Sequence, residues 1–290
     1  MKTFLLAGSH ACNEYLRWQL ATLPAVCRLA AAPAGQPETD ERRGTALRFD
    51  LVITDQCPTA RRFLEQDAAV LLCCPTAAFS TVKRLQTLAR RRRIGFAMGH
   101  PLRCHAALAR IHEILAGGVA GRPRSISVKL PCPARLWQAD APADDQAALV
   151  TAFHCADLLA WLPGESWDMA NPEINSTPTG TSVRLHGNDQ VLEVRIDIHD
   201  LGEIALEAEC EAGRVAWTGP PGIGPDDHSA VHRQVRTGDL THDTRLPVPP
   251  CNPVAVEVAL LAAAARSPRV CAKAELTVLA LRDRLCDIWR

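Results

Sequence analysis

His154 and Asp157 stand three residues apart in Phe153-His154-Cys155-Ala156-Asp157-Leu158-Leu159, a stretch that is otherwise apolar. On a helix that spacing puts both side chains on one face, where the carboxylate can orient the imidazole and the imidazole can pass a proton near neutral pH. A core histidine satisfied by a buried carboxylate has the same spacing, so the pair reads as a proton relay only if the rest of the chain supplies a reaction. Three other places carry chemistry. The turn Gly8-Ser9-His10-Ala11-Cys12-Asn13 follows an apolar run from Thr3 and precedes a helical pattern through Tyr15, Leu16, Leu20 and Leu23. Vicinal Cys73 and Cys74, followed by Pro75, end a second apolar run. Lys129 sits in Ser125–Leu130, where Ser125, Ser127 and Lys129 alternate with Ile126, Val128 and Leu130; the other lysines are Lys2, Lys83 and Lys273. Alternation leaves open whether that polar face looks into a cleft or into solvent.

The elements that must position these residues follow from periodicity. Short apolar runs at 3–8, 26–32, 49–54, 69–73 and 94–98 alternate with helical patterns at 13–23, 59–66 and 80–92, as in a parallel sheet with crossover helices. The polar segment 33–44 carries little helix signal. A helix over 105–116, with Leu108, Ile111, His112 and Leu115 on one face, stops at Gly117-Gly118. Beyond it the texture changes. A strand at 125–130, a loop rich in Pro and Asp, and a helix at 147–162 lead to strands at 181–185, 191–198, 203–210 and 214–217, with closing helices at 254–265 and 274–289. The expected fold is α/β: an N-terminal Rossmann-like parallel sheet over 1–103, then an α+β substrate and dimerisation domain over 104–290 with a mostly antiparallel open sheet. The closing helices are free to pack back on the first domain. An open sheet face would be covered by a second subunit, so a homodimer is expected.

In that architecture the turn at Gly8, Ser9, His10 and Ala11 is where a dinucleotide pyrophosphate is held, because glycine lets the backbone approach and the helix N-terminus faces the anion. Only the first of the three usual glycines is present. The second strand ends Ala30-Ala31-Ala32-Pro33, with no carboxylate for a ribose, and Arg42 or Arg43 would meet the 2′-phosphate of NADP. The expected cofactor is NADP or NAD, weakly bound.

Composition narrows the partners. The 290 residues are 47% hydrophobic, enough for a sizeable core, and Lys plus Arg equals Asp plus Glu at 32 each, so no net field draws nucleic acid. No apolar run approaches the roughly 18 to 20 residues of a membrane span, and the opening segment turns polar too soon for a signal peptide, so the expected location is the cytoplasm. The twelve cysteines sit singly in apolar runs apart from the vicinal pair, with no Cys-x-x-Cys spacing. They read as reduced core thiols, and no metal centre is expected.

Several runs resemble the Gfo/Idh/MocA family of NAD(P)-dependent oxidoreductases. These are Phe49-Asp50-Leu51-Val52-Ile53, Ala69 through Pro75, Leu85-Gln86-Thr87-Leu88-Ala89, Ile94-Gly95-Phe96, Ile114 through Gly118, Gly121-Arg122-Pro123 and the helix Phe153 through Leu162. The resemblance implies hydride transfer with a small polar substrate. It also implies that Cys74 and Pro75 stand where a Glu-Lys-Pro motif meets the nicotinamide, and that the strand of Lys129 lines the cleft. His154 and Asp157 match the family's histidine and aspartate. Cys73 and Cys74 replace its Glu and Lys, and Val150 and Ala152 replace the Asp and Gly before its histidine. Gly8 followed by Glu14-Tyr15-Leu16 is similar to the thiazolinyl imine reductases of siderophore assembly, which also lack that lysine. The candidate catalytic residues are therefore His154, Asp157 and Lys129. Two alternatives stay open: an imine reductase of that kind, and a catalytically inactive homologue that binds or scaffolds.

Overall fold

The structure is a computed structural model that describes residues 2–7, 27–31, 39–40, 45–46, 51–73, 76–131, 144–162, 168–177, 180–186, 191–199, 203–220, 229–250, 252–253, 256–258 and 273–289. The chain forms two compact units. The first comprises Met1–Pro101, Gln138–Pro142 and Val254–Ala280; the second comprises Leu102–Trp137, Ala143–Pro253 and Leu281–Arg290.

The first unit is built on a parallel sheet of β1 (Lys2–Leu6), β2 (Cys27–Ala31), β5 (Leu51–Thr54), β6 (Val70–Leu72) and β7 (Phe96–Met98), in the order β2-β1-β5-β6-β7. Every residue of β5, β6 and β7 is buried. That explains why these strands read as unbroken apolar runs: helices cover the faces of a parallel sheet, and no side of the strand stays wet. Two such helices are α1 (Cys57–Glu65), which buries Thr59, Ala60, Phe63 and Leu64, and α2 (Phe79–Arg92), which buries Val82, Leu85, Gln86 and Ala89. In the polar segment after β2 the described pieces, β3 (Thr39–Asp40) and β4 (Thr45–Ala46), pair as a small antiparallel ladder, in keeping with the weak helix signal there. The strand order reverses at β1, which has β2 on one side and β5 on the other. Such a reversal opens a crevice at the carboxyl ends of the strands. There Thr54 Oγ1 donates 2.8 Å to the Ala7 carbonyl and tethers the end of β1 to β5.

The second unit carries an eight-stranded sheet in the order β15-β14-β13-β12-β8-β11-β10-β9. Its strands are β8 (Pro123–Pro131), β9 (Asp168–Thr177), β10 (Gly180–His186), β11 (Val191–His199), β12 (Ile204–Cys210), β13 (Gly213–Gly219), β14 (Ala230–Thr237) and β15 (Leu240–Pro247). Neighbours are antiparallel except β8 and β11, so the expected fold class holds. One face is the core: Ile126, Val128 and Leu130, Leu192, Val194 and Ile196, Ile204 and Leu206, and Val215 and Trp217 are all buried. Trp217 packs so closely that a Cβ on Gly219 would sit 2.6 Å from its ring, and a Cβ on Gly213 would sit 2.0 Å from the Gln234 carbonyl. Glycine is therefore required at both ends of β13.

The outward face is polar. One cross-strand row runs Glu173, Arg184, Glu193, Ser125, Glu209, Arg214, Gln234, Asp243. Arg214 reaches Glu207 at 2.6 Å and Glu209 at 3.4 Å, and Gln234 Nε2 donates 3.0 Å to Asp243. Exposed pairs of this kind contribute little to stability, but they leave a face that water solvates without strain.

The helices of this unit are α3 (Ala106–Ala116) and α4 (Asp144–Trp161). The last helix, α5 (Lys273–Trp289), contributes to both units. From Ala152 to Leu159 every residue of α4 is buried. A helix covered all round has no polar stripe, and any titratable group on it must find a partner inside. No described helix is long and apolar enough to cross a membrane.

Candidate functional site

Helix α4 carries His154 at 2% and Asp157 at 0% exposure, one turn apart. The expected relay has Asp157 orienting the imidazole. In the structure the Asp157 Oδ1 accepts from Arg103 Nε at 2.7 Å and also from Arg103 Nη2. Arg103 lies on a 3₁₀ turn, Pro101–Cys104, whose last residues lead into α3. A carboxylate this deep stays charged only beside a compensating cation, and the two-pronged guanidinium contact supplies it.

Two histidines of the expected 105–116 helix, to which the sequence reading gave no chemical role, lie at its start and on its apolar face. His105 is the N-cap of α3; its backbone carbonyl accepts from Ala109 N–H at 2.8 Å. Its ring tilts over Trp217 with centroids 4.8 Å apart, and its Nε2 donates to the Pro220 carbonyl at 3.2 Å. Burial lowers its pKa to about 4, outweighing that carbonyl, so the ring is neutral. Seven residues further, about two turns, His112 stacks on Trp161 at 4.5 Å and 24°. Burial depresses its pKa, the Leu162 carbonyl partly opposes this, and the Arg103 charge adds to the depression. A neutral His112 therefore docks α3 onto the last turn of α4, while Arg103 grips α4 one turn earlier. The sequence signal for His112 was an imidazole on the apolar face of a helix, and that for His105 only its place at the helix start; neither can say what the ring touches.

Cys155, next to His154, is fully buried, and burial pushes its thiol up to about 12. Cys210 is raised to about 11 by burial and by Glu209 and Glu211. Neither is a nucleophile at neutral pH. Lys129 is exposed on the outward face of β8, opposite Asp197 and Ala205. With its side chain in water, Lys129→Met is expected to leave turnover unchanged; a fall of tenfold or more in kcat would return the lysine to the chemistry.

Of the candidate cofactor contacts, Gly8, Ser9, His10, Ala11, Arg42, Arg43, Cys74 and Pro75 lie outside the described residues. The described carboxyl edge of the parallel sheet holds Ala7, Thr54, Cys73 and Gly99. Cys73 N–H donates 2.7 Å to the Thr54 carbonyl, and Gly99 N–H donates 3.1 Å to the Leu72 carbonyl. Beside them Glu257, buried, accepts the His100 backbone N–H. The sequence reading missed Glu257. It stands alone in the apolar run Val254–Ala265, where one carboxylate carries no spacing signal.

No family model and no curated protein matches the chain. Solved structures do. A protein of Desulfitobacterium hafniense assigned as an NADPH-dependent oxidoreductase has a TM-score of 0.75 at 14% identity, over 99% of this chain and 94% of its own. KijD10, a 3-ketoreductase from Actinomadura kijaniata solved with NADP and TDP-benzene, has a TM-score of 0.67 at 14% identity, over 98% and 95%. An oxidoreductase assigned in Yersinia pestis, YPO2259, has a TM-score of 0.69 at 12% identity, over 98% and 93%. At these identities the likeness is one of fold, and it runs the length of the chain.

Proposed function

We propose that the chain is an NADP(H)-dependent oxidoreductase acting on a small polar substrate. The observation that carries this reading is a buried histidine, His154, on a helix braced by Arg103 and His112, in a fold shared end to end with a reductase solved with NADP. The described edge of the parallel sheet suits a dinucleotide, since Ala7, Thr54, Cys73 and Gly99 are small and Thr54 fixes the end of β1. Gly8, Ser9, His10 and Ala11 would hold the pyrophosphate, Arg42 and Arg43 the 2′-phosphate, and Cys74 with Pro75 would flank the nicotinamide. When bound, the cofactor supplies or accepts the hydride. His154 moves the accompanying proton, and Asp157 acts through Arg103 to keep α4 in place. A homodimer through the outward sheet face would be held by charged pairs rather than by apolar burial.

A single glycine in the turn and no ribose carboxylate predict weak binding with NADPH ahead of NADH. Calorimetric titration of the purified chain with each cofactor checks this; submicromolar NADH binding without NADPH binding would overturn the assignment of Arg42 and Arg43. The second reading, a binding protein that kept the fold and lost catalysis, is favoured by one observation: Asp157 Oδ1 holds the Arg103 guanidinium, which suits a structural role for this carboxylate. NADPH binding without any turnover would select it.

A further inference from the structure

We propose that Arg103 is an anion-recognising group, so that the substrate carries carboxylate or phosphate oxygens; only the word substrate rests on the oxidoreductase reading above. The guanidinium straddles a boundary. Its partner Asp157 is wholly buried, whereas the Arg103 side chain is 23% exposed. Nε and Nη2 are both spent on a single carboxylate oxygen, and Nη1 makes no hydrogen bond among the described residues. The inner edge is thus fixed by Asp157 and the outer edge, two N–H groups in the guanidinium plane, is presented ready-oriented. This arrangement suits recognition better than a bridge alone requires, because a planar fork held on one side loses little freedom when an oxyanion meets the other.

The location agrees. Arg103 contacts Asp157, and His154 lies one turn before Asp157 on α4, a separation of roughly 5 to 6 Å between neighbouring Cβ atoms. An anion at Nη1 would therefore sit beside the stretch of α4 that carries His154. The ion pair is neutral as a whole, so recognition comes from directed hydrogen bonds and not from long-range attraction. Binding should accordingly depend little on salt.

The test is titration of the full chain with inorganic phosphate at constant ionic strength, for wild type, Arg103→Lys and Arg103→Met. Tryptophan fluorescence is the readout, because Trp161 stacks on His112 within the influence of Arg103. Wild type should give a saturable change, Arg103→Lys should bind about tenfold more weakly, and Arg103→Met should give none. Arg103→Met strips Asp157 of its cation and is at risk of unfolding, in which case Arg103→Lys decides. Weaker binding by Arg103→Lys at an unchanged melting temperature supports the proposal, and equal binding overturns it. No saturable change in wild type, or the same change in all three proteins, also overturns it. NADPH titration of the same samples separates the two readings: Arg103-dependent phosphate binding with no NADPH binding would sink the oxidoreductase reading and leave the anion site standing.

Discussion

His154→Ala is expected to lower kcat by about 10² to 10⁴ with the fold intact, the usual contribution of a positioned acid-base group. The imidazole is all but excluded from solvent on a helix buried around its whole circumference, so no water replaces it as a proton carrier at low cost. The competing outcome is equally definite. If the ring only fills space, the alanine variant loses roughly 1 to 3 kcal/mol of stability while each folded molecule keeps its activity. Melting temperature and turnover measured on one preparation separate the two. Asp157→Asn sharpens the comparison, because the amide keeps one oxygen for Arg103 but removes the charge that the guanidinium needs. It should lower the melting temperature more than His154→Ala does, and lower kcat less.

Acidification from pH 7 to pH 4 should remove about 3 kcal/mol of stability through His105 alone, at 1.36 kcal/mol per pKa unit. The sign follows from burial. The folded chain holds this ring neutral down to about pH 4, while the unfolded chain protonates it near 6.5. Between those values the unfolded state binds more protons, so the contribution is complete above pH 6.5 and declines as the pH falls to 4. His112, lowered for the same main reason, acts in the same direction. Urea denaturation at half-unit pH steps measures the slope. His105→Gln, which cannot titrate, should flatten the part of the profile between pH 6.5 and 4, and an unaltered slope in that variant would show that the ring is not responsible.

The strands and helices of the parallel half were legible because burial on both faces writes an unbroken apolar run: Leu51–Thr54 and Val70–Leu72 fell within a residue or two of their expected ends. Three strands of the eight-stranded sheet were not legible. β9 contains Asn171 and Pro172, which read as a turn, and it lies at the edge of the sheet where proline is tolerated. β14 and β15 form the opposite edge, and most of their residues are exposed, so there was little apolar alternation to see. Their one clear signal was Gly238, φ +62°, at the first position of a two-residue turn, the place a type II′ hairpin reserves for glycine. The spacing of His154 and Asp157 put both on one helix, where both are buried. It could not find Arg103, because the contact joins residues 54 apart, and periodicity reports only on neighbours.

The first unit draws on both ends of the chain: the strands come from the first hundred residues, and a stretch between Val254 and Ala280 completes it. During synthesis the amino-terminal sheet emerges first but must wait for more than half of the remaining polypeptide before its last pieces exist. Such closure over a long intervening segment slows folding and leaves apolar strands uncovered in the interval. A shortened gene product ending near residue 103 would therefore be an aggregation-prone fragment rather than an autonomous nucleotide-binding module. Stop codons late in the gene should be as damaging to the first unit as to the second.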